Sequence, residues 1–174
     1  LAAELSGIAD EEVLKGVESA LRAKGWLDAR PSRPAAGRSS GAPKRPGPGL
    51  TIPRGDFEII VGRKDVDNDA ITFRIARGND WWLHPLHMAG PHVLIRPGGQ
   101  VQPPREVVMD AGQLALYFSK LRRSGKGDVM LTQRKYIQRA KGAKPGSVIC
   151  RRYSTLFVKI DVDRVRTLLE MGGR

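Results

Sequence analysis

The sequence has little or none of several features, and each absence excludes a class of protein. Cys150 is the only cysteine, so neither an intrachain disulfide framework nor a cysteine-rich zinc site can form. No apolar run approaches the roughly 20 residues that a membrane-spanning helix needs. A signal peptide is not predicted, because the sequence has no basic start followed by an apolar run and a small-residue cleavage site. We therefore expect a cytoplasmic protein with no membrane partner.

The sequence also lacks the motifs of common enzyme classes. There is no P-loop, no Gly-x-Gly-x-x-Gly after a predicted strand and no Gly-x-Ser-x-Gly nucleophile elbow. The acidic loop 63–69 lacks the glycine and the closing glutamate of an EF-hand, so Asp67, Asn68 or Asp69 is instead expected to cap a helix. We predict no cofactor and no catalytic residue, and the chain is not expected to be an enzyme.

Negative charge is scarce, and most strongly so in one segment. The chain has 30 Lys and Arg against 18 Asp and Glu, a net charge of +12. Between Ser119 and Lys159, twelve cations face one acid, Asp128. A surface of this kind suits a phosphate backbone, because bound cations release counterions, and Tyr136 among them is placed to stack on a base or ribose. The alternative is a basic face that only keeps the protein soluble.

Proline and glycine divide the chain into three parts. An apolar face recurs over 10–24, so residues 1–29 are expected to be the end of a helical, coiled-coil region. Residues 30–54 are rich in Pro, Gly, Ser and cations with little to bury, which predicts a disordered basic linker. Residues 55–174 are expected to form one compact domain. Since the chain begins at Leu1, we expect a piece of a longer protein.

Within that domain, apolar patterns predict strands, a long helix and a closing helix. The long helix begins at Pro103-Pro104 and is closed by Gly125, and Met109 and Leu116 fall opposite its apolar stripe. That second face is a candidate contact with a protein partner, or with a missing N-terminal domain of the same protein. In residues 70–76 the apolar residues alternate as in a strand, but their spacing also fits one face of a helix, so both alternatives stay open. The remaining predictions are strands at 57–61 and 128–132, a basic loop at 133–146, a hairpin of 147–150 with 155–160, and a helix capped by Asp161 or Asp163.

The stretch 80–96 predicts strand, tight turn and strand, and it contains all three histidines. One alternative function is a metal-dependent enzyme built on Asp80, His84, His87 and His92. In a strand Asp80 and His84 lie roughly 13 Å apart, too far for one ion unless the strand bends. We therefore interpret this stretch as a rigid core whose geometry depends on a structural motif: Asp80, Trp82, His84, Gly90 and His92.

Several of these segments resemble the NFACT-R domain, the C-terminal RNA-binding module of the NFACT (RqcH/NEMF) family of ribosome quality control proteins. The matching motifs occur in family order over residues 57–160, about 60% of the chain: Val61-Gly62-Arg63, Asn68-Asp69, Asp80-Trp81-Trp82-Leu83-His84, Gly90-Pro91-His92-Val93, Tyr117-Phe118-Ser119-Lys120 and Lys141-Gly142-Ala143-Lys144-Pro145-Gly146. Pro91 stands where the family has serine, which removes any RNA contact that the serine hydroxyl makes.

The resemblance implies an α/β domain with a mixed β-sheet around a central amphipathic helix, and a helix at 67–76. It also implies binding of tRNA and ribosomal RNA on obstructed large ribosomal subunits, in support of C-terminal tailing, with peptidyl transfer left to the ribosome. The RNA-binding candidates are the cations of the basic segment, those near the matching motifs, and one aromatic residue: Arg63, Arg77, Arg96, Lys120, Arg122, Arg123, Lys126, Arg134, Lys135, Tyr136, Lys141 and Lys144.

Overall fold

The computed structural model describes residues 47–97 and 102–172, and within these ranges it contains eight β-strands. They are β1 (Leu50–Arg54), β2 (Phe57–Val61), β3 (Trp81–Pro85), β4 (Val93–Pro97), β5 (Lys126–Gln133), β6 (Ile137–Arg139), β7 (Val148–Cys150) and β8 (Ser154–Lys159). Six strands form one sheet in the order β1-β2-β4-β3-β5-β8, and β6 pairs with β7 in a second sheet. Each pairing between described strands is antiparallel, where a mixed sheet was expected.

Three α-helices complete the domain and confirm the predicted α/β class. They are α1 (Asp65–Ala70), which continues as a π-helical segment (Ile71–Ile75), α2 (Arg105–Tyr117) and α3 (Val162–Met171). Two 3-10 helices, Lys120–Ser124 and Arg134–Tyr136, flank β5. Among the described helices, none is long and apolar enough to cross a bilayer. The helix predicted at 10–24 and linker residues 30–46 lie outside the described residues.

Helical segments cover both faces of the six-stranded sheet. On one face Ile60 and Leu94, register partners on β2 and β4, pack with Ile71. On the other, Gly112 of α2 approaches β8 so closely that an added Cβ would lie 2.9 Å from Val158. Side chains alternate between the two faces along a strand, and register partners share a face. Followed across β3 and β5, the register places Val158 and Leu94 on opposite faces of the sheet. Central strands are thus buried on both sides, which explains uninterrupted apolar runs such as the one at 93–95.

A carboxylate ties α2 to both ends of the domain. Asp110, only 3% exposed, accepts two hydrogen bonds from the guanidinium of Arg164 on α3, at 2.8 and 2.7 Å. The Nε atom of Arg54 on β1 lies 2.7 Å from the same carboxylate. Gly172, which follows α3, lies against β1, since an added Cβ would be 2.8 Å from the side chains of Leu50 and Ile52. The first and last elements of the domain are therefore neighbours.

The linker predicted for 30–54 is wrong at its C-terminal end, and the domain begins before Gly55. β1 pairs with β2 along all five of its residues, with Leu50 and Ile52 buried and Thr51 exposed between them. Pro53 is tolerated because β1 is an edge strand, where the missing backbone N–H can point away from the neighbouring strand. The surrounding Pro, Gly and Arg residues concealed this alternation.

Residues 65–75 are helical, as the family resemblance implied, so the strand alternative for 70–76 is wrong. The helix begins earlier than predicted, with Lys64 as N-cap, and none of the three acidic or amide candidates caps it. Asn68 lies inside the helix and is buried. Ile71 and Ile75 both face the sheet, as two residues four positions apart on a helix do, so the helical alternative for this segment is the correct one.

Two predictions on the central helix are also corrected. α2 ends at Tyr117 and not at Gly125, because Ser119 starts a new 3-10 turn by accepting a hydrogen bond from the Leu121 amide at 3.1 Å. Leu116, predicted on an exposed second face, is fully buried, and its methyl carbon lies 3.3 Å from the position of a Cβ on Gly127 of β5. Leu116 is therefore covered by the sheet and cannot contact a partner, whereas Met109 is partly buried.

The hairpin predicted from 147–150 and 155–160 is wrong. β7 pairs with β6, with Ile137 opposite Cys150, whereas β8 pairs with β5, with Leu131 opposite Ser154. The loop predicted at 133–146 thus contains a 3-10 turn and a strand. The predicted closing helix is confirmed as α3, and Asp161 caps it by accepting a hydrogen bond from the Arg164 amide at 3.0 Å.

Candidate nucleic-acid interface

A hydrogen-bonded cluster of buried polar side chains joins α1 to the centre of the sheet. His92 and Trp82 are 2% and 0% exposed. The Nδ1 atom of His92 lies 2.7 Å from the hydroxyl of Thr72, and the indole N–H of Trp82 donates to that hydroxyl at 3.0 Å. The side-chain oxygen of Asn68 accepts from the backbone N–H of His92 at 2.9 Å. Each polar group is paired inside the core, so the cluster fixes β3, β4 and α1 relative to one another.

The two core histidines lie close together and are held in their neutral form. Their ring centroids are 5.4 Å apart, so the turn after β3 does bring His92 back toward His84. Burial lowers the pKa of His92 to about 3, and the charge of nearby His84 acts in the same direction. Burial likewise lowers the pKa of His84. Neutral, packed imidazoles suit a structural role.

The four residues of the metal-enzyme alternative do not converge on one point. The carboxylate of Asp80 accepts from the backbone N–H of Arg77 at 2.8 Å, and His92 is engaged with Thr72 and Asn68. His87 lies exposed in the connection between β3 and β4, with φ of 57°. Within the described ranges, no group of three or more His, Cys, Asp or Glu side chains is arranged to hold a metal ion.

Two glycines of the matching motifs allow close approaches, and the first of these is to the buried cluster itself. A Cβ on Gly62 would lie 1.9 Å from the side-chain oxygen of Asn68. A Cβ on Gly90 would lie 2.7 Å from the Pro85 ring and 3.0 Å from the Ser119 Cβ. Pro91 is itself buried. The side chain at position 91 is therefore directed into the protein, which argues against direct RNA contact there.

The 3-10 helix Arg134–Tyr136 is attached to the start of β3 by backbone hydrogen bonds. The N–H of Arg134 donates to the carbonyl of Asp80, and that of Lys135 to the carbonyl of Gly78, both at 2.9 Å. The side chains differ in what they do. The guanidinium of Arg134 donates to the backbone carbonyls of Thr72 and, at 3.0 Å, Ile137. Burial, followed by repulsion from Arg139, lowers the pKa of Arg134. The hydrogen bonds of the Arg134 side chain thus stabilise the turn.

Lys135, in contrast, is exposed beside the partly buried Tyr136, and a further cation lies nearby. The ammonium of Lys135 lies 5.3 Å from the centre of the Tyr136 ring, and the guanidinium carbon of Arg152 lies 5.6 Å from it. Lys135 also lies 3.3 Å from the side-chain oxygen of Asn79. An aromatic ring beside two exposed cations is an arrangement that can stack on a base while contacting its phosphate.

Arg139, Arg151 and Arg152 were counted in the basic segment but were not among the site candidates. Arg139 makes a paired contact with the Asp69 carboxylate, which lowers the pKa of Asp69, and its guanidinium lies 4.3 Å from the Phe73 ring centre. Arg151 donates to the side-chain oxygen of Gln138 at 3.0 Å, across the β6–β7 pair. The positions of Arg139 and Arg151 follow from the pairing of β6 with β7, which no pattern in the sequence predicted.

A second group of candidate cations lies at the opposite end of β5. Lys120, Arg122 and Arg123 belong to the 3-10 helix before it, and Lys126 begins the strand. The guanidinium carbon of Arg122 lies 5.5 Å from the Tyr117 ring centre. Lys126 is the register partner of Lys159 on β8, and both are exposed. With eight residues in β5, the two groups are separated by about 23 Å along the strand.

Of the five remaining candidates, Arg77 lies beside the first group, and the other four lie on other elements. Lys141 and Lys144 are exposed in the β6–β7 connection, and Arg77 is exposed beside the 3-10 turn of Lys135. Arg96 lies 3.7 Å from the carboxylate of Glu58, its register partner on β2. Arg63, exposed after β2, lies 3.9 Å from the Asp67 carboxylate.

Comparisons with known proteins agree with this architecture. Residues 51–152 match the family described as the NFACT protein RNA binding domain. The protein "Rqc2 homolog RqcH" of Bacillus subtilis is 36% identical over 107 residues, which are 62% of this chain and 18% of that protein. RqcH of Streptococcus suis is 36% identical over 110 residues, 63% of this chain and 20% of that protein. The chain thus spans about a fifth of the length of these relatives.

A solved structure is similar over most of the chain. It is the C-terminal part of the fibronectin/fibrinogen-binding protein from Streptococcus suis, with a TM-score of 0.65 and 30% sequence identity. The match covers 88% of this chain and 58% of that one.

Proposed function

The chain belongs to the family of NFACT protein RNA binding domains, and from this premise we propose that it is the RNA-binding module of a ribosome quality control protein. Its RNA is tRNA or ribosomal RNA of an obstructed large ribosomal subunit. There the module supports C-terminal tailing of the stalled nascent chain, as the NFACT resemblance implies. It works in the cytoplasm and supplies binding, while the ribosome supplies the chemistry of peptidyl transfer.

The observation that carries the proposal is the exposure of the basic segment. Ten of the twelve cations between Ser119 and Lys159 are exposed, and Arg122 and Arg134 are partly buried. Single-signed charge at this density is stabilised by a polyanion, because condensed counterions are released from the nucleic acid when cations replace them.

The spacing of the cations favours an extended RNA contact. The groups at the two ends of β5 lie about 23 Å apart, which is several times the advance per phosphate of about 3.4 Å known for a strand of duplex DNA. A contact reaching both groups therefore covers several consecutive phosphates. The two alternatives have less support, because the metal-site residues do not converge and Leu116 is buried under the sheet.

Fluorescence anisotropy with labelled tRNA over a series of salt concentrations tests the proposal. We expect binding at low salt and a linear fall of log K with log salt. The double substitution Lys126→Gln with Lys135→Gln should weaken binding and make the slope shallower. The matched control, Arg105→Gln with Arg166→Gln, changes the net charge equally but lies outside the basic segment. Absence of binding at low salt, or equal losses in both variants, contradicts RNA binding by this surface.

Cosedimentation tests the ribosomal part of the proposal separately. Large subunits carrying peptidyl-tRNA should retain the chain better than empty large subunits. If the chain binds tRNA but does not distinguish the two kinds of subunit, it is an RNA-binding domain without the proposed role in quality control.

A further inference from the structure

A cavity of about 230 Å³ opens where β3 begins, β5 ends and β8 begins. Its wall includes three aromatic side chains, Trp81, Tyr136 and Tyr153, although aromatic residues make up only 6% of the chain. Arg152 and Gln133 add a cation and an amide. Aromatic rings, a guanidinium and an amide around one opening are the groups that recognise an unpaired nucleobase.

The aromatic groups of the cavity are held in position by the backbone. Trp81 lies in register opposite Gln133, and Ser154 opposite Leu131, so the sheet itself forms one wall. Tyr136 is fixed by the attached 3-10 turn, and its carbonyl accepts from the N–H of Arg151 at 3.0 Å. The hydroxyl of Thr132 donates to the carbonyl of Arg152. A site that is already ordered loses less entropy when a ligand binds.

The size and the polar groups of the cavity limit what it can hold. Sites for whole small molecules usually measure roughly 300–1,000 Å³, so a cavity of about 230 Å³ suits a single ring system. Lys135 and Arg152 flank the Tyr136 ring at 5.3 and 5.6 Å, where they can meet the phosphate next to an inserted base. Tyr153 is 46% exposed and lies at the opening, free to pack on the outer face of that base.

We propose that this cavity binds one unpaired nucleobase, stacked on its aromatic wall with the neighbouring phosphate against Arg152 and Lys135. The inference rests on the RNA-binding function proposed above and sharpens it. Bases inside a paired A-form helix cannot reach such a cavity, whereas bases in loops, bulges and single strands can. The domain therefore prefers RNA with unpaired nucleotides, and the phosphate contacts elsewhere on its surface do not create that preference.

Direct titration of the full chain tests this inference. Anisotropy is measured with a single-stranded oligoribonucleotide, with the same backbone lacking its bases, and with a duplex carrying the same number of phosphates. Wild type should bind the first ligand about 5-fold to about 100-fold more tightly than the base-free backbone. Tyr153→Leu, which keeps bulk but removes the ring, should lose a large part of this preference, and Tyr153→Phe should retain it.

Phe157 on β8, which is 62% exposed and is not part of the cavity wall, provides the control. Phe157→Leu should bind like wild type. Tryptophan fluorescence provides a second readout, because a base stacked on Trp81 should quench it and Trp81→Phe should remove that quenching.

Each outcome separates this inference from the proposed function. Equal binding of all three ligands by wild type, or equal behaviour of Tyr153→Leu and Phe157→Leu, overturns the base site while leaving RNA binding by the basic surface intact. Failure of wild type to bind any of the three ligands at low salt overturns both.

Discussion

The ring of His92 meets the ring of Trp82 edge-on, with their centroids 4.8 Å apart, and both side chains contact the hydroxyl of Thr72. Because this arrangement excludes water, the imidazole stays neutral far below its ordinary pKa. The stability of the domain is thereby linked to pH.

The unfolded chain binds a proton at His92 below a pKa of about 6.5, whereas the folded chain does so only near about 3. Acid therefore favours unfolding across this window, and stability is regained as pH rises through it. His92 contributes a slope of about 1.4 kcal/mol per pH unit at most. The lowered pKa values of His84 and Asp69 contribute with the same sign.

Chemical denaturation between about pH 4 and about pH 6 should therefore show a steeper increase of unfolding free energy with pH for wild type than for His92→Gln. The variant keeps the contributions of His84 and Asp69, so the difference isolates His92. Parallel pH profiles would mean that His92 is not held neutral by the fold.

Gly62→Ala should destabilise the domain by about 1–3 kcal/mol, measured as a shift of the denaturation midpoint. The added Cβ would lie 1.9 Å from the Asn68 side-chain oxygen, and the hydrogen bond that this oxygen accepts from the His92 backbone N–H would be disturbed. Gly47→Ala is the control, since nothing lies within 4 Å of a Cβ there. Similar midpoints for the two variants would show that the Asn68 contact is easily rearranged.

Asp110→Asn should lower the unfolding free energy by about 2–3 kcal/mol, because it leaves two arginines without their shared carboxylate. The figure is below that of a fully buried pair because the Arg164 side chain is 34% exposed. Asp163→Asn is matched in chemistry, but its 86% exposed carboxylate lies 3.6 Å from Arg166, so a loss below about 1 kcal/mol is expected. Thermal and urea denaturation of both variants measure the contrast, and a small loss for Asp110→Asn would contradict the role of this network.

Arg134 and Lys135 are adjacent cations with different roles, and substitution should separate them. Arg134→Gln removes hydrogen bonds to the carbonyls of Thr72 and Ile137 and should destabilise the domain by about 1–3 kcal/mol. Lys135→Gln should change stability by less than about 0.5 kcal/mol but reduce the slope of log K against log salt for tRNA by roughly 1. Urea denaturation and anisotropy are run on both variants. A salt slope that is unchanged in Lys135→Gln would remove Lys135 from the phosphate contact.

Local patterns in the sequence predicted the elements that depend on local interactions. Pro103-Pro104 followed by an apolar stripe predicted α2, and the two cap candidates Asp161 and Asp163 predicted the start of α3. Patterns failed where distant partners decide the structure. The short strand at 137–139 is too brief to show a period and is defined by its pairing with 148–150. Leu116 reads as exposed on an isolated helix but is covered by a sheet that has a helix on each face.

The candidate interface shows the same limit. Composition located the basic segment, and Tyr136 within it was identified by its chemistry. Trp81 and Tyr153 are 72 residues apart in the sequence and share a cavity only because β3, β5 and β8 lie side by side. Arg134 was expected to face RNA. Its guanidinium instead donates to backbone carbonyls of the protein, which could not be predicted from its charge.

The contact of Gly172 with β1 has a topological consequence. Because residues 50 and 172 are neighbours, a short peptide can join them while every strand keeps its place in the sheet. We expect a circularly permuted chain of this kind, opened at the exposed turn 141–144, to form the same pairings in a different sequential order. The fold is therefore defined by which strands are adjacent, and the order in which a ribosome would deliver them is a separate property of the polypeptide.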